Sequence, residues 1–323
     1  MADFGFETTT DEVLERHDLT GKTVLVTGGY SGLGRETARA MGAKGAHVIL
    51  SGRDEAKLAG AAEELAKETG ATFDTLTCDL ASLDSVRAAA KEASERFGKL
   101  DLLINNAGVM ACPKGKTADG FERQFGTNHL GHFLLSNLLV PLLEKGNAPR
   151  IIALSSRAHF SSPVHLEDPN YENREYEKWE SYGQSKTANA LFALAADKRF
   201  KSRGIRAFSV HPGGIMTNLG RHLSEEDVKV LRARLAKAAE AAGKEGGTSA
   251  TFKTVEQGAA TTCWAATSDD VLANGGAYCE DCHVAPVDDE SPVAGVRSYA
   301  ADPDAAEKLW VMSEDYVAEK FPW

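Results

Sequence analysis

Residues 24–34 read Val-Leu-Val-Thr-Gly-Gly-Tyr-Ser-Gly-Leu-Gly, and this stretch decides the fold class. The apolar run Val24–Thr27 predicts a buried strand, and the glycines after it predict a tight turn that opens a helix reaching about Lys44. Glycine lets the backbone turn sharply and approach a pyrophosphate, while the first N–H groups of the next helix attract negative charge. A strand, this turn and a helix together predict a dinucleotide-binding site rather than a glycine-rich turn without a ligand.

The alternation of strand and helix continues through the first two thirds of the chain. The further predicted strands are His47–Ser51, Thr72–Cys78, Leu100–Asn105, Arg150–Ser155 and Ile205–Val210. Between them, one predicted helix opens at Asp54, and others span Ser82–Phe97, Thr127–Lys145 and Ser181–Phe200. This pattern predicts an α/β fold: a doubly wound (Rossmann) parallel sheet of about seven strands with helices on both faces.

Composition and charge restrict the classes of function. The 323 residues carry a formal net charge of −11, which argues against a nucleic-acid-binding surface because phosphates would repel it. No uncharged apolar stretch approaches the roughly 18 to 20 residues that cross a bilayer, and the acidic N-terminus is unlike an export signal. Five cysteines without such a signal predict reduced thiols and a cytoplasmic location.

The chain shows no internal repeat or low-complexity linker, so we predict one dinucleotide-binding catalytic domain over residues 1–323. After Val210, one segment departs from the alternation of strands and helices. Ser224–Gly243 predicts a helix with one apolar face, capped by Ser224, and a glycine-rich loop, Gly243–Thr248, follows it. We expect a helical substrate lid at about 218–252 and a C-terminal helical extension at about 300–320. The alternative for the lid is a helix whose apolar face simply packs on the core.

Five further motifs follow the glycine turn. They are Asn105–Gly108, Asn128, Ser155–Ser156, Tyr182–Lys186 and Pro212–Gly213. In this order, and with the spacing Gly-x-x-x-Gly-x-Gly, they resemble the short-chain dehydrogenase/reductase family. The details Ser-Ser-Arg-Ala-His, Tyr-Gly-Gln-Ser-Lys and Val-His-Pro-Gly are similar to its retinol-dehydrogenase-like branch. The resemblance runs from about Asp18 to Gly276 and implies an oxidoreductase that uses a nicotinamide cofactor.

Tyr182 and Lys186 are four residues apart on a predicted helix, so their side chains share one face. A tyrosine is a poor base at neutral pH, and a nearby ammonium is expected to lower its pKa. Tyr182 then becomes a usable proton donor or acceptor for an alcohol and carbonyl pair. The resemblance implies that Lys186 also holds the nicotinamide ribose. Taken without the other motifs, a buried tyrosine beside a solvated lysine is the simpler interpretation.

Two more catalytic residues follow from the resemblance. It places the catalytic serine at Ser156, where a hydroxyl can hydrogen-bond the substrate oxygen as negative charge develops, with Ser155 as the competing assignment. Asn128 aligns with the family asparagine that kinks its helix and holds a water near the lysine. A helix-surface amide is the alternative for Asn128. The predicted catalytic set is Asn128, Ser156, Tyr182 and Lys186.

The end of the second predicted strand indicates which cofactor binds. An NAD site usually carries a carboxylate there for the ribose 2′-hydroxyl, but this strand ends Leu50-Ser51-Gly52-Arg53. Gly52 is expected to leave room and Arg53 to pair with a 2′-phosphate, while Asp54 suits an N-cap of the next helix. We therefore predict NADP(H), with NAD(H) as the alternative. Ser31 is a departure, because many NADP-preferring relatives carry a basic residue there.

The resemblance also implies which backbone segments line the cofactor. Asp79 would lie near the adenine amino group, Asn106–Gly108 beside the adenosine, and the segment after Pro212 at the carboxamide and pyrophosphate. The predicted cofactor-binding residues are Gly28, Tyr30, Ser31, Gly32, Leu33, Gly34, Arg53, Asp79, Leu80, Asn106, Ala107, Gly108, Tyr182, Lys186, Pro212, Gly213, Ile215 and Thr217.

Other polar and aromatic residues suggest weaker hypotheses. Cys279-Glu-Asp-Cys282-His283 looks like a metal-site fragment, but a structural zinc needs a second pair, so we predict no metal. Tyr171, Tyr176 and Trp179 lie in a long polar loop and either contact substrate or pack the loop. The isolated histidines are expected to be structural: His129, His132, His159 and His165.

The predicted reaction is hydride transfer between a nicotinamide and a carbonyl carbon. The lid predicts a bulky lipophilic small-molecule alcohol, aldehyde or ketone as substrate. Alternatives are reduction of an activated C=C bond and a catalytically silent NADP(H)-binding regulator. By resemblance, pairing through the helices that carry Asn128 and Tyr182 implies a homodimer or homotetramer.

Overall fold

A computed structural model describes residues 4–216, 219–220, 223–241 and 252–323. The strands are β1 (Thr23–Thr27), β2 (His47–Gly52), β3 (Phe73–Thr77), β4 (Leu102–Asn105), β5 (Arg150–Leu154), β6 (Arg206–His211), β7 (Tyr278–Glu280) and β8 (His283–Val284). They form one sheet in the order β3-β2-β1-β4-β5-β6-β7-β8. Strands β1 to β7 pair in parallel, and β8 pairs antiparallel with β7. This confirms the predicted doubly wound parallel sheet and adds a short antiparallel strand at its edge.

Helices cover both faces of the sheet. They are α1 (Thr10–Leu14), α2 (Gly32–Ala43), α3 (Glu55–Thr69), α4 (Leu83–Arg96), α5 (Arg123–Phe125), α6 (Gly131–Leu138), α7 (Val140–Leu143), α8 (Lys178–Phe200), α9 (Glu225–Ala241), α10 (Val255–Thr267) and α11 (Pro303–Tyr316). One apolar layer joins the sheet to α4, α6, α8 and α11, and the other joins it to α1, α2, α3 and α10. The core therefore lies on both sides of the sheet.

The central strands are buried on both faces, as parallel strands between two helical layers must be. All five residues of β1 are buried, and side chains alternate between the layers: Leu25 packs in one, Val24 and Val26 in the other. Leu25 pairs in register with Ile49 and Leu103, which pack in the same layer. The carboxyl ends of β1 and β4 meet where the strand order reverses, the place where such sheets bind ligands.

Local sequence explains several helix boundaries. Asp54 caps α3 by accepting a hydrogen bond from the Lys57 backbone N–H at 3.1 Å, as predicted. The same helix ends at Gly70, whose φ of 72° lies in the left-handed region that favours glycine. Helix α8 begins at Lys178, three residues before the predicted start, because Glu177 accepts hydrogen bonds from two backbone N–H groups of its first turn.

The predicted long apolar helix Thr127–Lys145 is found, but it is divided into segments. The chain forms α5, then a π-helical turn over Gly126–Leu130, then α6 and α7. Pro141 lies in the first turn of α7, and a proline cannot continue the preceding helix because it lacks an N–H and its ring meets the previous turn. The π turn contains Asn128, so it shapes the site described below.

Helix α9 falls within the predicted Ser224–Gly243 segment. Ser224 caps it, since its Oγ accepts a hydrogen bond from the Asp227 N–H at 3.2 Å. Gly214 and Phe252 form a β-bridge, so the chain leaves the sheet and returns to it at neighbouring points. The predicted loop at 243–248 and the side chains of Leu235 and Ala239 lie outside what the structure describes. None of the described helices has the length and apolar character needed to span a membrane.

Candidate active site

The glycine turn after β1 forms a close backbone cradle. Gly28 and Gly32 have φ values of 66° and 54°, which glycine adopts without strain. A Cβ on Gly34 would lie 2.5 Å from the Gly28 carbonyl oxygen, so only glycine fits there. Ser31 precedes α2 but makes no side-chain cap bond, which leaves the first N–H groups of α2 without a capping side chain. These features fit a pyrophosphate at the start of α2.

Asn106 joins this cradle to β4. Its Nδ2 donates to the Thr27 carbonyl at 2.7 Å, and the Thr27 hydroxyl accepts the backbone N–H of Asn106 and of Ala107, each at 2.9 Å. The ends of β1 and β4 are thus fixed to each other at the switch point. Sequence reasoning placed Asn106 and Ala107 here but missed Thr27, whose only signal was a hydroxyl at the last position of an apolar strand.

The adenosine end of the predicted site differs from expectation at Gly52. A Cβ on Gly52 would lie 2.8 Å from the Tyr30 ring, so the space beside this glycine holds that ring and is not free. Arg53 is exposed and makes no hydrogen bond or ion pair among the described residues. Asp54 is engaged as a cap and in an ion pair with Lys57 at 2.8 Å. The exposed guanidinium therefore remains the group suited to a 2′-phosphate.

Asp79 and Leu80 follow β3. The Asp79 carboxylate accepts the Ala81 N–H at 3.0 Å, which shapes the turn. The Leu80 side chain is buried in the core layer beneath α4 and α6, and a Cβ on Gly131 would lie 2.4 Å from its carbonyl oxygen. The predicted cofactor contact of Leu80 is therefore restricted to its backbone.

Tyr182 and Lys186 lie together on α8, both buried to 4% exposure. Lys186 Nζ donates to the Leu154 carbonyl at 2.9 Å and lies 5.6 Å from the centroid of the Tyr182 ring. Burial lowers the pKa of Lys186 to about 8. Burial also raises the pKa of Tyr182 to about 12, and a hydrogen bond with Ser156 opposes the rise. The expected fall in the tyrosine pKa is therefore not found, because removal of the phenol from water outweighs the opposing effect of Ser156.

The structure separates the two serines after β5. Ser155 is buried and its hydroxyl donates to the Lys186 carbonyl at 2.7 Å, which fastens β5 to α8. The Ser156 hydroxyl instead accepts the Ala158 N–H at 3.1 Å and lies close enough to Tyr182 to lower the pKa of its phenol. Ser156 is the serine that faces Tyr182, which supports the favoured assignment over Ser155.

Asn128 lies in the π turn between α5 and α6, so its helix is distorted there as the resemblance implied. Its side chain is fully engaged: Oδ1 accepts the Val109 N–H at 2.8 Å, and Nδ2 donates to the Val109 carbonyl and the Ser185 hydroxyl, each at 2.9 Å. A Cβ on Gly108 would lie 3.2 Å from Asn128 Oδ1 and 3.7 Å from Lys186 Nζ. The buried Asn128 therefore links the chain after β4 to α8, and is not a surface amide.

His132 supports this site from one turn further along. Its Nδ1 lies 2.9 Å from the Asn128 carbonyl oxygen and its Nε2 lies 2.8 Å from the Thr27 hydroxyl. Burial lowers the pKa of His132 to about 4, so the ring is neutral at pH 7. Sequence reasoning treated it as a structural histidine, and the contacts agree. They also show that it joins the glycine turn to the asparagine.

The segment after β6 lies next to a buried lysine. Gly213 has a φ of 96°, and a Cβ there would lie 2.8 Å from the Lys253 side chain. Lys253, whose side chain is 1% exposed, pairs with Asp281 at 2.6 Å and donates its backbone N–H to Gly214 at 2.8 Å. This fixes the predicted cofactor segment that begins at Pro212. Ile215 packs against α10 at Gly258, and Thr217 lies outside the described residues.

The polar loop before α8 packs against the protein through two of its aromatic residues. Tyr171 is buried under the Arg174 guanidinium, 4.0 Å from its ring centroid, and the Tyr176 hydroxyl donates to the Cys112 carbonyl at 2.9 Å. Trp179 is half-buried in the first turn of α8. Loop packing is therefore the interpretation that fits Tyr171 and Tyr176.

Cys279 lies in β7, and Cys282 lies in the tight turn between β7 and β8. Asp281 and Cys282 have φ values of 46° and 58°, as in a two-residue hairpin turn of type I′. All five cysteines are buried free thiols. Across the described ranges, no group of three His, Cys, Asp or Glu side chains could hold a metal ion.

A glycine cradle at the switch point, with a serine and a tyrosine beside a buried lysine, is typical of a nucleotide-binding oxidoreductase of the Rossmann class. Residues 22–228 match the family model described as short chain dehydrogenase, and this chain belongs to that family, whose members bind a nicotinamide cofactor.

Two relatives and one solved structure illustrate the similarity. The short-chain dehydrogenase/reductase prx1 of Penicillium rubens is 42% identical over 298 residues, covering 90% of this chain and 84% of the relative. Retinol dehydrogenase 14 of Mus musculus is 40% identical over 308 residues, covering 92% and 86%. The crystal structure of an uncharacterised protein from Mycobacterium paratuberculosis superposes with a TM-score of 0.72 at 31% identity, covering 98% of this chain and 100% of that one.

Proposed function

We propose that this protein is an NADP(H)-dependent oxidoreductase that interconverts an alcohol and a carbonyl compound. The observation that carries the proposal is the placement of Ser156 beside the buried Tyr182, where the serine hydroxyl opposes the rise in the tyrosine pKa, with Lys186 one helical turn further along α8. Two hydroxyls at one point can both contact a single substrate oxygen. A carbonyl or alcohol oxygen is the substrate group that needs this arrangement.

The nicotinamide, when bound, supplies or accepts a hydride at the substrate carbon. Ser156 donates a hydrogen bond to the substrate oxygen, where negative charge develops during reduction. Tyr182 gives a proton to that oxygen or takes one from it. Because its pKa is raised to about 12, Tyr182 carries its proton at neutral pH and can donate it to the substrate oxygen when a carbonyl is reduced.

Lys186 and Asn128 support this proton transfer. Lys186 Nζ lies near Gly108 and beneath the tyrosine ring, where it can bind the ribose hydroxyls of the cofactor. We propose that Asn128, through its bonds to Val109 and Ser185, holds the chain so that a water can reach Lys186. That water would connect the lysine to solvent and restore the tyrosine proton after each turnover.

NADP(H) is proposed over NAD(H) from the residues after β2. The exposed Arg53 guanidinium can bind a 2′-phosphate with two parallel hydrogen bonds. An NAD site would offer a carboxylate to the 2′-hydroxyl, whereas Asp54 caps α3 and pairs with Lys57. The Tyr30 ring over Gly52 gives the adenosine an apolar neighbour.

The substrate is proposed to be a bulky lipophilic alcohol, aldehyde or ketone covered by a lid that includes α9. Lys178 lies one helical turn before Tyr182, and its ammonium pairs with Asp227 in the first turn of α9 at 2.5 Å. This ion pair holds the start of α9 beside the catalytic face of α8. Met216, at the point where the chain leaves the site, exposes 61% of its surface and offers an apolar contact. The name of the relative retinol dehydrogenase 14 agrees with a lipophilic substrate.

We also propose that the chain does not pair through α6 and α8, the helices from which a homodimer or homotetramer was expected. Helix α11 lies across both: the Trp310 ring centroid is 4.9 Å from that of Phe133 on α6 and 6.1 Å from that of Phe192 on α8. The C-terminal Trp323 donates its Nε1–H to Asn137 on α6 at 2.7 Å. The apolar surface that a partner's helices would cover is therefore already covered by this chain's own C-terminus.

We further propose that the enzyme works in the cytoplasm. Its five cysteines are free thiols, as is usual in a reducing compartment. Fractionation of cells that express the full chain tests the location. Recovery in the membrane fraction would overturn it.

The test of the function is an NADPH oxidation screen against aldehydes and ketones of increasing size and apolarity, with identification of each product. We expect turnover that rises with apolar size and an alcohol as product. A saturated carbonyl product from an unsaturated substrate would instead indicate C=C reduction. Absence of turnover across the panel, with NADPH still bound, would overturn the proposed reaction and favour a silent NADP(H)-binding protein.

A further inference from the structure

His159 lies buried behind Ser156. Its backbone N–H and its ring Nδ1 lie 3.0 and 2.8 Å from the Ser156 carbonyl oxygen. Its other ring nitrogen, Nε2, lies 3.1 Å from the backbone nitrogen of Arg297. A backbone N–H can only donate, so Nε2 is the acceptor and the ring proton is on Nδ1. Burial lowers the pKa of His159 to about 4, so the ring is neutral at pH 7 and Nδ1–H donates to Ser156.

We propose that His159 is a positioning residue for the reaction: its Nδ1–H holds the Ser156 carbonyl and thereby sets where the Ser156 hydroxyl meets Tyr182. This inference rests on the proposed function, in which that hydroxyl binds the substrate oxygen. The Ser156 peptide carries no other side-chain hydrogen bond to its carbonyl among the described residues. A shift of that peptide would move the hydroxyl away from the tyrosine, and small displacements of a reacting group reduce rates strongly.

The turn Arg157–Ser161, which follows Ser156, is also held by α8. A Cβ on Gly183 would lie 2.6 Å from the Ala158 carbonyl oxygen, so the helix backbone touches the turn directly beside Tyr182. The side of the turn that faces α8 is therefore fixed by backbone contact. The carbonyl of His159 in the same turn also accepts a hydrogen bond from the Thr187 hydroxyl of α8 at 3.4 Å.

His159 and Phe160 are also held by β7 and by the chain after β8. The Tyr299 hydroxyl donates to the His159 carbonyl at 2.5 Å, and the Arg297 guanidinium lies 3.7 Å from the centroid of the Phe160 ring. The Tyr278 hydroxyl lies 3.2 Å from His159 Nδ1. Since the family model ends at residue 228, these partners belong to a part of the chain beyond it. The segment after β8 thus contacts the His159 ring, and the same ring hydrogen-bonds the carbonyl of Ser156.

Two substitutions test the roles of the two His159 ring nitrogens independently. His159→Asn places an amide N–H near the position of Nδ1 and keeps a donor for the Ser156 carbonyl. His159→Gln places its amide near Nε2, so it can accept the Arg297 N–H but offers no donor to Ser156. Tyr299→Phe is the matched control, because it removes a hydrogen bond to the same residue without touching Ser156.

The measurements are kcat and KM for a carbonyl substrate, the NADPH dissociation constant and the melting temperature. We expect His159→Gln to lower kcat about tenfold to a hundredfold, while KM and NADPH binding stay within about twofold. We expect His159→Asn to keep kcat within about threefold of wild type, and Tyr299→Phe to lower only the melting temperature. His159→Ala removes the same donor without a longer side chain and is expected to behave like His159→Gln.

Equal losses of kcat in the Asn and Gln variants, or no loss in Gln and Ala, would overturn the positioning role. Ser156→Ala in the same assay keeps this failure distinct from failure of the proposed function. If wild type is active and Ser156→Ala is not, the function stands and the His159 variants decide the inference alone. If wild type shows no turnover on any carbonyl, the function is overturned and this inference with it.

Discussion

Lys178 and Asp227 join the first turns of α8 and α9 through an ion pair of 2.5 Å. The two oxygens of the carboxylate have different partners, since Oδ1 meets Lys178 while Oδ2 accepts the Ser224 backbone N–H and hydroxyl, each at 2.8 Å. The pKa of Asp227 is lowered to about 2, first by its hydrogen bond with Lys178, so the carboxylate is charged at every working pH. One side chain thus accepts the hydrogen bonds of Ser224 at the start of α9 and pairs with Lys178, one helical turn before Tyr182.

Breaking this pair is expected to weaken substrate binding. Lys178→Met should raise KM for a bulky carbonyl by about fivefold or less, since partly exposed ion pairs contribute up to about 1 kcal/mol, and leave KM for NADPH unchanged. Steady-state kinetics with both substrates measures this. Lys229→Met, which removes an exposed pair with Glu226 on the same helix, is the control. An equal change in both KM values would contradict a lid that acts on substrate alone.

Removing the Tyr182 hydroxyl is expected to stop the chemistry but not cofactor binding. Tyr182→Phe should lower kcat by about a hundredfold to ten-thousandfold, because it deletes the proton donor. NADPH titration should give an unchanged dissociation constant, since the ring and Lys186 remain. A variant with near-normal turnover would show that another group moves the proton.

Arg53 is expected to decide between the two cofactors. Arg53→Ala should raise KM for NADPH about tenfold to a hundredfold, the size of a lost charged hydrogen bond, and leave KM for NADH unchanged. Arg35→Ala is the matched control, since Arg35 already pairs with Glu64 and Glu68 on α3. If wild type prefers NADH, or Arg35→Ala has the larger effect, the proposed NADP(H) site is wrong.

Stability is expected to fall as the pH is lowered below 6.5. Burial lowers the pKa of His129 to about 3 and of His132 and His159 to about 4. Between those values and 6.5 the unfolded chain binds protons that the folded chain does not, so the free energy of unfolding decreases by up to about 1.4 kcal/mol per pH unit for each. Urea unfolding between pH 7 and 5 measures the slope.

One substitution and its control test the source of that slope. His129→Leu should reduce it by about a quarter, because one of four buried rings no longer titrates, the fourth being His211, whose pKa burial also lowers well below its ordinary value. His283→Leu removes an exposed histidine and should leave the slope unchanged. Identical slopes in wild type and His129→Leu would mean that other groups control the acid sensitivity.

The C-terminal helix is expected to keep the chain monomeric at the α6 and α8 face. Light scattering after gel filtration should give a mass near 34.5 kDa. Replacing Trp310, which is 2% exposed, by alanine should lower the free energy of unfolding by about 3–5 kcal/mol, because its ring fills the groove between the two helices. A stable dimer whose interface includes Phe133 or Phe192 would contradict the proposal that α11 covers the face formed by α6 and α8.

Much of the fold could be predicted from local sequence patterns. Val24–Thr27 forms a strand, Asp54 caps α3, and the alternation of strands and helices predicts the parallel sheet that is found, because these signals lie between neighbours in the chain. Pro141 is an equally local signal for a helix boundary, but the apolar character of Thr127–Lys145 predicts one long helix there. The π turn at Asn128 was implied by resemblance alone, since no local rule for spacing predicts it.

The amino-acid sequence by itself determined the chemistry available: glycines for a backbone cradle, and a serine, tyrosine and lysine in an order that identifies the family. Only the tertiary structure decided that Ser156 rather than Ser155 meets Tyr182, that the Tyr30 ring fills the space at Gly52, and that burial raises the tyrosine pKa. It also brought Lys178 to Asp227 and His159 to Arg297, pairs separated by 49 and 138 residues. The physical reason is that desolvation and long-range contacts depend on how elements pack, which spacing along one chain does not encode.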